Sequence, residues 1–62
     1  MTESEVYKAM SNDDADYNIF NGSRLLGRFT GFDENENGLF IWLDSATIDA
    51  VYIDDVTRIV EI

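Results

Sequence analysis

The chain has 62 residues, with neither cysteine nor histidine, which bounds it to one small domain and removes disulfides, thiolate and imidazole metal sites and the usual nucleophile–base pairs. At this length folding buries only about 60% of the surface the unfolded chain exposes, so association with partner subunits is the staple left open. Thirteen Asp and Glu against four Lys and Arg give a net charge of −9, which repels nucleic acid over most of the surface and keeps the molecules soluble.

Acids stand where a signal peptide would be basic, and no apolar run follows them. No stretch approaches the ~20 apolar residues of a membrane span. The expected setting is soluble and cytoplasmic, with no membrane partner.

Residues 1–16 read as a helix and a polar linker. Thr2 and Glu5 have the spacing of a capping box, and Val6, Ala9 and Met10 can form one apolar stripe. A helix from about Glu3 to Ser11 follows from that pattern. It is too short to be stable alone, so either it docks or it frays. Asn12-Asp13-Asp14-Ala15-Asp16 is the polar connection.

From Tyr17 the vocabulary is that of strands. Tyr17-Asn18-Ile19-Phe20 is a first strand, and Asn21-Gly22 is a strong hairpin signal because both residues tolerate positive φ. Arg24 to Phe32 forms a second strand. Its glycines, Gly27 and Gly31, mark bends. Arg24 and Arg28, four residues apart on that strand, are expected on one face. Residues 33–38 form a polar turn. Leu39-Phe40-Ile41-Trp42-Leu43 is apolar on both faces and reads as a covered central strand. Asp44-Ser45-Ala46 breaks the run. Thr47 to Ile53 is a fourth strand, Asp54-Asp55 a tight turn and Val56 to Ile62 a fifth. The fold expected for 17–62 is mainly β: a small five-stranded, SH3-like or OB-like antiparallel barrel.

Ile59, Val60 and Ile62 lie on both faces of a terminal strand that reads as an edge. An exposed apolar edge invites pairing. A ring in which each edge adds to the next subunit's sheet satisfies it by closure; the alternative is that the strand only closes its own barrel.

Two segments carry a resemblance to a known family. Asn21-Gly22-Ser23-Arg24-Leu25-Leu26-Gly27-Arg28-Phe29-Thr30-Gly31-Phe32-Asp33 resembles the first motif of the Sm-like family, closest in pattern to its bacterial Hfq branch. Val51-Tyr52-Ile53-Asp54-Asp55-Val56-Thr57-Arg58-Ile59-Val60 is similar to the second. The resemblance covers residues 17–62. It implies a strongly bent five-stranded antiparallel barrel and a homo-oligomeric ring of about five to seven subunits, made by pairing the fourth strand of one with the fifth of the next. Val51, Tyr52, Ile53, Ile59, Val60 and Ile62 would then lie at the subunit interface. It also implies single-stranded RNA as ligand.

The family's RNA-binding positions carry over in part. Asn37 falls where the family has a base-binding Asn, with Asp33 available to orient it. The stacking position is occupied by Asn35, which has no aromatic face and so lacks the ~1–3 kcal/mol that stacking contributes per base. Where the family places cations in its second motif, this chain has Ile53, Asp54 and Asp55. Asn37 can equally satisfy backbone groups of its turn. Arg24 and Arg28 can form a basic band for RNA or pair with acids.

No catalytic constellation is present in the sequence, and no cofactor or metal is expected. The acidic turn at 33–38 lacks the length and terminal Glu of a calcium-binding loop. The reading is therefore not an enzyme but a ring-forming, RNA-binding or RNA-chaperone-related protein acting through a non-standard surface. The alternative is an acidic ring-shaped interaction module or inhibitor that binds a basic protein.

Overall fold

A computed structural model describes residues 1–62. The elements run α1 (Glu3–Ala9), β1 (Tyr17–Asn21), β2 (Arg24–Asn35), β3 (Gly38–Asp44), β4 (Ala50–Tyr52), a 3₁₀ turn (Ile53–Asp55) and β5 (Arg58–Glu61). The five strands form one antiparallel sheet in the order β4-β3-β2-β1-β5. β4 and β5 are its two free edges, so the hydrogen-bonded ladder is open.

β2 bends the sheet. It is 12 residues long, and its register slips by one residue at Leu26 against β1 and at Thr30 against β3. Each slip is a bulge, which sharpens local twist and turns the strand. Gly27 stands beside the first bulge because a Cβ there would meet Asp44 O at 3.1 Å and Ser45 Cβ at 3.0 Å. The close approach of β2 to the end of β3 requires the missing side chain.

The bent sheet encloses Val6, Ile19, Leu26, Ile41, Leu43, Ile53 and Val56. Their burial is the main folding force. Helix α1 completes this core. Thr2 Oγ1 accepts from the Glu5 amide at 3.2 Å while Glu5 Oε1 accepts from the Thr2 amide at 3.0 Å, giving the expected capping box. Val6 is wholly buried, and the Tyr7 ring meets Phe32 edge-on at 5.2 Å. The Met1 ammonium donates to Ile53 O and Val56 O, both at 2.7 Å, and so ties the helix start to the 3₁₀ turn. The helix is docked. In the linker, Tyr17 Oη donates to Asn12 O and accepts from Asn12 N.

Several boundaries differ from the sequence expectation. Asn21 stays in β1, paired with Arg24, and the hairpin loop is Gly22-Ser23. Gly22 alone of this pair takes positive φ, at 59°, while the Asn21 side-chain amide donates to Asp55 O at 2.8 Å. The polar turn shrinks to Glu36-Asn37 because β2 and β3 stay paired out to Asn35 and Gly38. The fourth strand starts at Ala50 rather than Thr47. Ser45 Oγ accepts from the Thr47 amide at 3.3 Å, a local bond that competes with a ladder. The fifth strand starts at Arg58 rather than Val56, since Val56 turns into the core.

Candidate nucleic-acid and assembly surface

Residues opposite each other across an antiparallel pair share a face, and neighbours along a strand alternate. Tyr17 and Ile19 point into the core, so Asn18 and Phe20 point away from it. Their partners Arg28, Leu25, Val60 and Arg58 lie on this outer face with them. The register carries the face onward through Asp44, Trp42 and Phe40 of β3, Gly31, Asp33 and Asn35 of β2, and Ala50 and Tyr52 of β4.

The bulge at Leu26 overturns one expectation. Arg24 pairs with Asn21 and Arg28 with Asn18, and those partners lie on opposite faces of β1. Arg24 and Arg28 therefore point to opposite sides of the sheet. Arg28 shares the outer face with Arg58 instead. Arg28 pairs with Asp44 at 3.0 Å and Asp16 at 3.7 Å, and the Arg58 guanidinium lies 4.4 Å over the Phe20 ring.

Aromatic side chains fill the β3–β4 half of this face. Phe40 meets Trp42 at 5.2 Å and Tyr52 at 5.7 Å, both edge-on. The Trp42 indole lies beside Gly31 and is 42% exposed. β3 is thus central in the sheet but not covered on both sides as its composition suggested. Phe40 and Trp42 were missed as candidate binding residues. Their spacing of two, which puts them on one strand face, was the available signal.

The β2–β3 turn is organised differently from the sequence expectation. Asp33 Oδ1 accepts from the Glu34 amide at 2.9 Å and makes no hydrogen bond to Asn37. Asn35, not Asn37, shapes the turn: its Oδ1 accepts from the Asn37 amide at 2.8 Å. The Asn35 side-chain nitrogen also donates to Tyr52 Oη at 2.8 Å, across to β4. Asn35, Phe40, Ala50, Val51 and Tyr52 surround a shallow open pocket of about 140 Å³ at this sheet edge.

Of the interface residues expected from the sequence, Ile53 belongs to the core, and Val51 and Ile59 pack against it. Tyr52 lines the outer pocket. Val60 and Ile62 are 38% and 68% exposed. No group of three or more carboxylates stands close enough to hold a metal ion. No helix is long and apolar enough to cross a membrane. Comparison with protein-family models, curated proteins and solved structures returned no match.

Proposed function

We propose that this chain is the subunit of an Sm-like ring that binds single-stranded RNA on its outer sheet face. The observation that carries the reading is the composition of that face. Trp42, Phe40, Tyr52 and Phe20 share it with Arg28 and Arg58, and the strand acids on it are Asp33 and Asp44. With Asp16, which meets Arg28 at 3.7 Å, three acids stand against these two cations, a much smaller imbalance than the −9 of the whole chain. Trp42 is exposed and the other three rings are half-buried; exposed aromatic rings stack on bases without regard to sequence, and nearby arginines meet the phosphates. A closed Sm-like arrangement, with β4 of one copy paired to β5 of the next, multiplies the face around an axis. The two free edges at β4 and β5 support that assembly.

The test has two readouts. A ring of 7.1 kDa subunits runs at about 36 to 50 kDa by light scattering for the expected five to seven copies. Oligouridylate or oligoadenylate then quenches Trp42, the single tryptophan, with an affinity that falls as salt rises. A 7.1 kDa monomer, or no quenching at low salt, overturns the reading.

A second reading is favoured by charge. Arg28 is already neutralised by Asp44 and Asp16, and the rest of the surface is acidic. On that reading the ring engages a basic protein. Failure to bind RNA, together with salt-sensitive binding of a basic polypeptide such as polylysine, selects it.

A further inference from the structure

The chain contains two Asn-Gly pairs, Asn21-Gly22 and Asn37-Gly38, and its other asparagines precede residues that carry side chains. Each pair stands at the tip of a hairpin. A glycine leaves its backbone nitrogen unshielded and the main chain free to turn, so that nitrogen can reach the carboxamide of the preceding asparagine. The structure holds the two pairs differently. We infer that Asn37-Gly38 is a site of spontaneous deamidation in the folded chain, and that Asp55 and Thr57 protect Asn21-Gly22 from the same reaction.

The reaction needs only water. The Gly38 nitrogen gives its proton to hydroxide and bonds to Asn37 Cγ. The Cγ–Nδ2 bond breaks, and the nitrogen leaves as ammonia after taking a proton from water. Water then opens the cyclic imide at one of its two carbonyls, leaving an aspartyl or an isoaspartyl residue at position 37. Either product brings a carboxylate to a turn that already holds Glu34 and Glu36. The isoaspartyl form also lengthens the main chain by one carbon, beside the turn that Asn35 ties to Tyr52.

Both asparagines are exposed, so access to water does not distinguish them. Hydrogen bonding does. Asn21 Nδ2, the leaving group, donates to Asp55 O at 2.8 Å. The Gly22 amide, the nucleophile, donates to Thr57 Oγ1 at 2.7 Å. Thr57 Oγ1 is itself aimed by donating to Phe20 O at 3.3 Å, and Asn21 is a strand residue opposite Arg24. At the other tip, Asn37 lies in the turn outside the strands, and its side chain makes no hydrogen bond; its backbone amide is the group held by Asn35 Oδ1. Gly38 opens β3 opposite Asn35, so the ladder is its restraint. Imide closure at Asn21 first requires two further hydrogen bonds to open, which slows it about tenfold at the usual net worth of such bonds.

The inference is independent of assembly and of RNA binding. The native chain is incubated at mildly alkaline pH in buffer and, in parallel, in denaturing urea. Trypsin then separates the pairs, because cleavage after Lys8, Arg24, Arg28 and Arg58 leaves Asn21 in Ala9–Arg24 and Asn37 in Phe29–Arg58. Tandem mass spectrometry locates the mass gained when an amide becomes an acid. Each folded rate is divided by its rate in urea, which removes the influence of neighbouring sequence. The ratio expected at Asn37 is about tenfold that at Asn21. Thr57→Val, checked for folding by circular dichroism, raises the rate at Asn21 and leaves that at Asn37 unchanged. Equal ratios, or a larger one at Asn21, overturn the assignment. A folded Thr57→Val chain whose Asn21 stays protected overturns the role given to Thr57.

Discussion

Asn35 and Tyr52 hold the tip of the β2–β3 hairpin against the edge strand β4 through a reciprocal amide–phenol pair, with Nδ2 to Oη at 2.8 Å and Oη to Oδ1 at 3.2 Å. The same Asn35 oxygen receives the Asn37 amide. One side chain thus sets both the turn and the wall of the outer pocket. Asn35 serves here as a brace.

Tyr52→Phe keeps the aromatic wall and removes the brace. The pair is exposed, so a loss of about 0.5–1 kcal/mol is expected, at the low end for a hydrogen bond. Urea unfolding measures it. A loss above about 2 kcal/mol, beyond the usual net worth of one such bond, would mean that the ring itself had moved.

The capping box predicts both a mutational and a pH effect. Thr2→Ala lowers stability by about 1 kcal/mol, read from the urea midpoint. Hydrogen bonds from the Thr2 amide, then from its hydroxyl, hold the Glu5 carboxyl below its ordinary value of 4.5. A carboxyl depressed in the folded state stabilises fully above its unfolded value and loses that contribution as pH falls through the folded one. The stability difference between the native chain and Glu5→Gln therefore shrinks as pH drops from above 4.5. A constant difference across that window would show that Glu5 contributes nothing by its charge.

Gly27→Ala forces a methyl against Asp44 O and Leu43 Cβ at 3.1 and 3.2 Å. Overpacking of this kind costs typically ~1–3 kcal/mol. For a chain of this length the total is on the order of 3–9 kcal/mol, so a visible fall in thermal midpoint is expected. An unchanged midpoint would mean that β2 can pull away from β3.

Trp42→Ala and Arg58→Gln divide the proposed RNA surface into its two contributions. Removing the indole costs about 1–3 kcal/mol of binding with little change in salt dependence. Removing the guanidinium weakens binding and lowers the salt slope by about one. Arg24→Gln, on the opposite side of the sheet, leaves both nearly unchanged. Filter binding or fluorescence anisotropy at two salt concentrations measures all three, and an Arg24 effect as large as that of Arg58 would move the surface.

Local chemistry made much of the fold legible. The Thr2–Glu5 spacing located the helix start, since a capping box is satisfied within one turn. Alternating β-branched and aromatic residues located all five strands, and the mainly β class followed. Strand ends were less legible. Val56 leaves the edge for the core, and the Ser45–Thr47 bond delays β4; both depend on competition between local and distant partners.

The candidate surface was legible in residue types but not in arrangement. Counting by twos puts Arg24 and Arg28 together; the bulge at Leu26 separates them and brings Arg28 to the side of Arg58. The apolar run at 39–43 reads the same whether its outer face is covered or bare. By itself the sequence determined the charge, the absence of thiol and imidazole chemistry, and the elements, because these follow from composition and from neighbours a few residues apart. Tertiary structure decided which arginines meet which aromatics and which two strands keep a free edge. Those outcomes depend on register across strands, where a single extra residue reverses every side chain beyond it.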